Sequence, residues 1–232
     1  MAMRRVWLWL AMACAILVAG QGMIRAAAPK TRMAVITRLR RGQWPVIDGR
    51  FGDPAWQGVR PLQAFVPLGG DGAKPKAETV AWVTYDDARL YLFIRCREPR
   101  PEEMRVAGEG RDDDVGEGDS LHLFIATADL PDPSFYFALN PKNVRWDAFC
   151  NGETIEPAID CEWESAVVAG KKEWCAEIAI PWSALRREPP LPGTKIRVNL
   201  GRRRIADDER TTWSPAEKQF HEPERFGTWV LQ

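Results

Sequence analysis

Apolar residues alternate with polar or small residues along several short segments of the chain. The alternating segments span residues 80–85, 90–94, 121–125, 135–139, 174–180 and 196–200. A period of two is typical of half-buried antiparallel strands. Turn-forming pairs such as Asn151-Gly152 and Pro192-Gly193 separate the segments, and only residues 183–185 suggest a short helical turn. The pattern predicts an all-β fold, an antiparallel β-sandwich of the jelly-roll or immunoglobulin-like kind.

The chain divides into three parts by composition. Residues 1–28 begin with Arg4 and Arg5, continue with 14 apolar residues over 6–19, and end in three alanines. That run is too short to span a bilayer comfortably, so we expect a cleaved signal peptide, a secreted or periplasmic protein, and no other contact with a membrane. An uncleaved anchor and a lipoprotein linked through Cys14 are the alternatives. Residues 29–43 are predicted to form a linker or a first edge strand, and residues 44–232 a single sandwich domain.

The charge and the tryptophan content narrow the class of function. The 232 residues include 32 basic and 32 acidic side chains, so there is no basic excess for nucleic acid to bind. Eleven tryptophans are many for this length. Tryptophan builds β-cores, but it also forms flat surfaces on which sugars stack. The composition therefore favours a protein that binds a ligand through aromatic side chains.

Four cysteines remain once residues 1–28 are removed: Cys96, Cys150, Cys161 and Cys175. An even number in an exported protein permits disulfides, and Cys150 and Cys161 flank a turn, which makes them the favoured pair. The alternative is that all four are small apolar core residues. Their spacing does not resemble a zinc site.

The positions opposite the apolar stripes carry polar and aromatic side chains. His122, Tyr136 and Asn199 each lie opposite the stripe of their own segment. If these segments share one sheet, its outer face is able to bind a polar ligand by hydrogen bonding and stacking. An ordinary solvated face is the alternative.

Three aromatic residues and one arginine near turns or strand ends extend this candidate site. Trp146, Trp213 and Phe220 lie where stacking surfaces tend to occur, although Trp146 fits the core equally well. On a strand, Arg203 points opposite to its two arginine neighbours, where it faces either an acidic sugar or the acidic loop. A surface ion pair that contributes little is the alternative.

An acidic loop supplies the sharpest local cluster of charges. Asp112, Asp113 and Asp119 lie within eight positions of each other, and calcium prefers carboxylate and carbonyl oxygens presented by such a loop. The spacing is not that of an EF-hand. A solvated turn whose carboxylates cap backbone N–H groups is the alternative. The sequence therefore predicts a candidate structural Ca²⁺ site at these three aspartates.

The motifs follow each other in a characteristic order. They are VIDG at 46–49, DPAW at 53–56, YDD at 85–87, RDDD at 111–114, GDSLHLF at 118–124, EIAIPW at 177–182, TTWSP at 211–215 and RFG at 225–227. This order resembles that of the family 9 carbohydrate-binding modules and their DOMON-like relatives, over about residues 44–231. The resemblance implies an exported β-sandwich, often with structural calcium. The best-known members of the family bind the ends of sugar chains between two tryptophans.

The chain departs from the sugar-binding pattern of that family at several positions. One of the two sandwiching tryptophans corresponds to Gly116, and a glutamate that contacts the sugar corresponds to His122. The second tryptophan corresponds to Phe220, which is still aromatic. A glutamine and an arginine on the middle strand correspond to Tyr136 and Ala138. The resemblance thus implies a retained scaffold with a rebuilt ligand site.

Three other functions remain as alternatives. No G-x-S-x-G, HExxH, P-loop or CxxC motif is present, so we expect a protein that is not an enzyme. One DOMON-like branch binds haem, for which Met104, His122 and His221 are the candidate ligands. An interaction module that docks a partner enzyme is the third. The main prediction is a binding module for a saccharide or related polar small molecule, using His122, Tyr136, Trp146, Asn199, Arg203 and Phe220.

Overall fold

The computed structural model describes residues 31–70, 73–126, 133–152, 154–157 and 160–232, which form two β-sheets and, within these ranges, no α-helix. The predicted signal segment 1–28 lies outside the described residues. The strands are β1 (Met33–Ile36), β2 (Val66–Pro67), β3 (Thr79–Tyr85), β4 (Arg89–Arg97), β5 (Ser120–Ala126), β6 (Ser134–Leu139), β7 (Arg145–Asn151), β8 (Thr154–Pro157), β9 (Glu164–Ala169), β10 (Glu173–Pro181), β11 (Lys195–Arg204), β12 (Glu209–Thr212) and β13 (Gly227–Leu231). Four single 3-10 turns lie at Pro54–Trp56, Pro101–Glu103, Ile205–Asp207 and Pro223–Arg225.

The described strands form a nine-stranded and a four-stranded sheet. The larger sheet has the order β1-β13-β11-β5-β6-β7-β8, and β12 and β2 extend it beside β11. The smaller sheet has the order β3-β4-β10-β9. Neighbouring strands pair antiparallel except β1 and β13, which pair parallel. The predicted sandwich is confirmed, and the strand expected within residues 29–43 is the edge strand β1.

The alternating stripes meet in one core between the sheets. Each predicted stripe of β3, β4, β5, β6, β10 and β11 contributes buried side chains to this cluster. Trp174 and Trp229 are fully buried there. Since burial of apolar surface stabilises a fold by about 25 cal/mol per Å², these stripes supply most of the favourable free energy of folding. Trp213 also lies in this core, with 3% exposure, so the prediction that it forms a stacking surface is wrong.

A buried ion cluster joins the two sheets at one edge. The Glu98 carboxylate, just after β4, accepts hydrogen bonds from Arg204 Nε at 2.9 Å and Nη2 at 2.8 Å, and from Arg202 Nη2 at 3.2 Å. All three side chains are 2% exposed. Surface ion pairs were the alternative for the three consecutive arginines 202–204. That alternative is wrong for Arg202 and Arg204, because both point into the molecule.

The VIDG and DPAW motifs cover the outer face of the smaller sheet. Glu177 of β10 points away from the core, is fully buried, and accepts hydrogen bonds from the backbone N–H groups of Asp48 and Gly49 and from Trp56 Nε1, each at 3.0 Å. Trp56 packs there against Phe93 at 6.0 Å between ring centroids. The motifs therefore serve to fasten a loop segment onto the sheet.

The cysteines and the helical turn differ from expectation. None of the four described cysteines forms a disulfide, so the favoured Cys150–Cys161 pair is wrong. Cys150 packs on the outer side of the larger sheet, while Cys161 belongs to the core between the sheets. Residues 182–186 form turns rather than a helix. In the described part of the chain, no helix has the length and apolar character needed to cross a membrane.

Candidate functional site

The outer face of the larger sheet brings the predicted ligand-binding residues together. Strands β11, β5, β6 and β7 are neighbours, and their register aligns Gly201, His122, Ala138 and Trp146 in one row across the sheet. The next row contains Asn199, Phe124, Tyr136 and Ala148. Alternation along each strand places these side chains on the face opposite the core. These strands therefore share one sheet, which is the condition that the candidate face required.

His122 lies beneath this face and is 4% exposed. Its Nδ1 is 2.6 Å from the Tyr136 hydroxyl and its Nε2 is 2.9 Å from Ser120 Oγ. Ser120 Oγ in turn donates to the Gly118 carbonyl at 3.1 Å. Because the serine proton is used there, Nε2 must be the donor to Ser120, and Tyr136 donates to Nδ1. This chain of hydrogen bonds holds a neutral imidazole.

Burial governs the ionisation of this pair. Desolvation, together with the positive charges of Arg203 and Arg210, lowers the pKa of His122 to about 3. Burial raises the pKa of Tyr136. Both groups therefore remain neutral over the physiological pH range. They act as fixed hydrogen-bonding groups rather than as acid or base.

Phe220 covers one end of the His122 row. Its ring centroid is 4.7 Å from that of His122, and the ring lies directly over Gly201. A Cβ at Gly201 would be 2.5 Å from Phe220 Cδ1, so only glycine permits this approach. Phe220 itself is half-buried, with one side on the sheet and the other toward solvent.

The loop that carries Phe220 is held by one amide and one carboxylate. Asn199 Nδ2 donates to the Phe220 carbonyl at 2.9 Å, while Asn199 Oδ1 accepts from Thr212 Oγ1 at 2.8 Å and Ser214 N at 3.1 Å. Glu222 accepts three backbone N–H groups, from residues 217, 218 and 219. Burial alone would raise the pKa of Glu222, but these three donors lower it below its usual value. Asn199 is 1% exposed, so it positions the loop from beneath.

Tyr136 and Trp146 form the other half of the aromatic surface. Their rings meet edge to face at 4.7 Å and 70°, and Tyr136 stacks on Phe124 at 4.2 Å. Both Tyr136 and Trp146 are half-buried. Val115 packs against Ala138 and Val144, and Tyr136 and Trp146 pack against this small cluster. The result is a continuous surface of three half-exposed rings, those of Phe220, Tyr136 and Trp146.

Arg203 lies at the edge of this surface next to the position that departs from the family pattern. Its guanidinium donates to the carbonyl of Gly116 and lies 3.9 Å from the Glu117 carboxylate. The Arg203 side chain is 19% exposed. Arg203 therefore holds the loop that contains Gly116, while part of its own side chain remains open to solvent.

The three predicted calcium ligands have separate structural roles. Asp119 is buried, and its oxygens accept from Arg105 N at 2.9 Å and Ile205 N at 3.4 Å; burial raises its pKa. Asp113 caps the N–H groups of Glu109 and Gly110, and these bonds lower its pKa.

Asp112 has a positive φ of 69° and a buried Oδ1 that has no partner among the described residues; burial raises its pKa. No group of three potential metal-ligating side chains occurs in the described ranges. The donor set does not fit a calcium ion, because the carboxylates of Asp113 and Asp119 are directed to backbone N–H groups. Calcium binding stays a prediction from the sequence.

The candidate haem ligands also fail to converge on a free site. Both ring nitrogens of His122 have partners, and Nε2 of His221 lies 3.2 Å from Ser134 Oγ. Met104 packs against the core between the sheets. The residues present do not fit a haem, since no candidate ligand presents a free donor atom to an open cavity.

Two aromatic residues outside the predicted ligand-binding set also belong to this face. Phe124 and Phe226 form a cluster beneath Tyr136 and Phe220. The alternation of its strand predicts that Phe124 faces outward. Phe226 belongs to the RFG motif, which does not indicate the side of the sheet that its ring faces. A large cleft near Trp44 was not predicted, because the arginines that line it lie in residues 29–43, which were interpreted as a linker or a first edge strand.

Comparisons with known proteins agree with this fold. The family model for carbohydrate family 9 binding domain-like sequences matches residues 47–232. A candidate carbohydrate-binding protein from Bacteroides uniformis ATCC 8492 superposes with a TM-score of 0.71 at 17% identity, covering 88% of this chain and 100% of that chain. No curated protein matches the sequence.

A carbohydrate-binding module of family 9 from Caldicellulosiruptor kristjanssonii, in complex with cellotriose, superposes with a TM-score of 0.62 at 16% identity, covering 87% and 94% of the two chains. The module from the same organism in complex with glucose gives 0.61 at 15% identity, covering 87% and 96%. At these identities the similarity concerns the fold.

Proposed function

Because the chain belongs to the carbohydrate family 9 binding domain-like family, we propose that it is a non-catalytic binding module for saccharides. The ligand lies on the outer face of the larger sheet. Phe220 and Trp146 pack against the apolar C–H faces of the sugar rings, as aromatic side chains do with amphipathic ligands. The Tyr136 ring and the Arg203 guanidinium border the same surface and supply its polar edge.

The observation that supports this proposal is the surface of three half-exposed rings over a rigid hydrogen-bonded base. Tyr136, His122 and Ser120 are joined by bonds of 2.6 and 2.9 Å, so the base is organised before a ligand arrives. Preorganisation lowers the entropic cost of binding. In this proposal, His122 and Asn199 position the rings that the ligand contacts, because both are buried.

Calorimetric titration of the purified chain tests the proposal. The panel includes glucose, cellotriose and oligosaccharides of other linkages, and we expect saturable binding of at least one. Trp146→Ala and Phe220→Ala should each weaken that binding about tenfold or more, as truncation of an aromatic hot spot does. Phe51→Ala removes a half-exposed ring from the loop that covers the smaller sheet and is the matched control.

Two further variants sharpen the result. Gly116→Trp and Phe220→Trp place tryptophan at the two positions where the family pattern has it, and each should raise the affinity for a neutral sugar end. Absence of binding to every sugar by the wild-type chain and by both of these variants would contradict the proposal. Unchanged affinity in Trp146→Ala and Phe220→Ala, with a saturable wild-type signal, would place the site elsewhere.

Export of the protein is part of the same proposal. The basic and then apolar composition of residues 1–28 supports a signal peptide. Replacing the apolar residues 6–19 with polar ones should retain the chain in the cytoplasm in a fractionation experiment. If the wild-type chain in the exported fraction still has its full length, residues 1–28 are an uncleaved anchor rather than a cleaved signal peptide.

A further inference from the structure

A cleft of about 800 Å³ lies where β3 turns into β4, and it shares no lining residue with the aromatic surface described above. Its lining residues are Arg38, Leu39, Arg40, Arg41, Trp44, Asp86, Asp87, Ala88 and Tyr91. This volume is within the range of ligand-binding clefts in proteins. The cleft is therefore large enough for a monosaccharide or disaccharide unit.

The two acidic residues of the cleft are already engaged. Asp86 Oδ1 accepts from the N–H groups of Ala88 and Arg89 at 2.8 Å, and its Oδ2 accepts from the Tyr91 hydroxyl at 3.1 Å. Asp87 forms an ion pair with Arg38. The hydrogen-bond capacity of both carboxylates is therefore largely used, and the three arginines of the lining outnumber its two aspartates.

Two arginines and one tryptophan are left open to solvent. Arg40 and Arg41 are exposed, and among the described residues neither side chain has an ion pair or a hydrogen bond. Trp44 is 60% exposed, which is unusual for the largest apolar side chain. The cleft thus combines positive charge that has no partner with an exposed aromatic ring.

The segment that carries these residues is fixed at both ends. Leu39 N donates to the Tyr85 carbonyl at 2.8 Å, and Val46 N donates to Asp53 Oδ2 at 3.1 Å. Between these points, the Gln43 N–H donates to the Arg40 carbonyl at 3.1 Å and closes a turn. The positions of Arg40, Arg41 and Trp44 are therefore constrained before any ligand binds.

Another cleft of the described residues, at Trp163, makes a useful contrast. It measures about 430 Å³, and its three arginines are all engaged: Arg89 with Glu164 at 2.7 Å, Arg111 with Asp147 at 2.7 Å, and Arg145 with a backbone carbonyl. Its tryptophan, Trp163, is 4% exposed. A third cleft of about 510 Å³ has no aromatic residue in its lining.

We propose that the cleft at Trp44 is a second binding site, specific for an anionic saccharide that carries a carboxylate or sulfate group. The guanidinium groups of Arg40 and Arg41 bind the anionic group through charge-assisted hydrogen bonds. The indole of Trp44 packs against the C–H face of the sugar ring that carries it. This site operates independently of the site proposed on the larger sheet.

Calorimetric titration with three short oligosaccharides tests this proposal. The probes are an oligogalacturonate, a sulfated chondroitin oligosaccharide and a neutral cello-oligosaccharide of matched length. We expect the cleft to bind one or both anionic probes, with an affinity that falls as salt is raised. The double variant Arg40→Gln/Arg41→Gln and the variant Trp44→Ala should each weaken this binding about tenfold or more, since bonds to charged groups and stacked rings contribute most.

Matched controls separate this site from the other one. Arg50→Gln removes an exposed arginine outside the cleft and should leave the affinity unchanged, as should Trp146→Ala and Phe220→Ala. Acidification below the pKa of the uronate should abolish binding of the galacturonate but not of the sulfated probe. The proposal is overturned if the wild type binds neither anionic probe, if the double arginine variant binds as tightly as the wild type, or if only the larger-sheet variants lose binding.

Discussion

On the outer face of each sheet, a buried polar side chain holds a covering segment through hydrogen bonds. The two covering segments differ in the side chains that they leave exposed. On the smaller sheet, Glu177 of β10 holds the segment of the VIDG and DPAW motifs through three hydrogen bonds of 3.0 Å. On the larger sheet, Asn199 of β11 holds the loop of Phe220 through a 2.9 Å bond. Both are outward-facing polar residues in the middle of a strand, and both are buried by the segment that they hold.

The difference lies in what each cover leaves exposed. The cover of the smaller sheet buries Trp56 to 3% exposure and leaves Glu177 without contact with solvent. The cover of the larger sheet leaves Phe220, Tyr136 and Trp146 half-exposed above a neutral hydrogen-bonded base. In our proposal the cover of the smaller sheet is structural, whereas the three adjoining rings of the larger sheet form the surface for the ligand.

Removal of the two holding residues should separate these roles. Glu177→Ala leaves three N–H donors without an acceptor, two of them in buried bonds, so we expect the free energy of unfolding to fall by about 4 kcal/mol. Asn199→Ala should cost about 2 kcal/mol, because the groups it leaves can reach water at the loop. Urea unfolding measures both. Ligand affinity per folded molecule should fall only for Asn199→Ala, and an equal loss in both variants would contradict the division of roles.

The buried histidine gives the larger-sheet face a pH dependence of stability. The pKa of His122 is lowered to about 3 in the folded chain, against about 6.5 when unfolded, so protonation favours the unfolded state. The stability that the neutral imidazole contributes is fully present well above pH 6.5 and is lost as the pH falls toward 3. Between pH 6.5 and 4.5 we expect a loss of about 2 kcal/mol from this group.

The variant His122→Gln should remove that part of the acid dependence in thermal or urea unfolding. His221→Gln is the matched control, because His221 is the other histidine of the chain and is half-buried. An acid dependence identical in the wild type and in His122→Gln would show that the imidazole is not kept neutral by burial.

The contact between Gly201 and Phe220 provides the smallest and most selective perturbation. Gly201→Ala places a Cβ within 2.5 Å of the phenyl ring, so the ring must move away from the sheet. Overpacking of this kind should cost about 1.5 kcal/mol. Displacement of the ring should also hydrate His122 and raise its pKa toward the usual value, which an NMR titration of the imidazole measures. A pKa of His122 that stays unchanged in this variant would mean that Phe220 does not exclude water from it.

Part of this architecture was predictable because strand alternation is a local signal. The stripes of β3 to β6, β10 and β11 were recognised, and so was the side of His122 and Tyr136. Strand β9 was missed because its side chains are mostly half-exposed and carry no clear stripe. The Cys150–Cys161 pair was predicted wrongly, since closeness in sequence does not show that the two thiols lie on opposite sides of a sheet.

The sequence by itself determined the fold class, the family, and which residues of each strand face outward, because all three depend on periodicity and motif order. The tertiary structure decided which outward residues are accessible. His122 and Asn199 are buried because Phe220 and its loop fold over Gly201 of β11. Trp213 is buried in the core because its ring packs against Gly227. Such contacts join positions far apart in the chain, and their energies depend on close approach and burial. Only the folded molecule could therefore show that Trp44 and its arginines line a cleft.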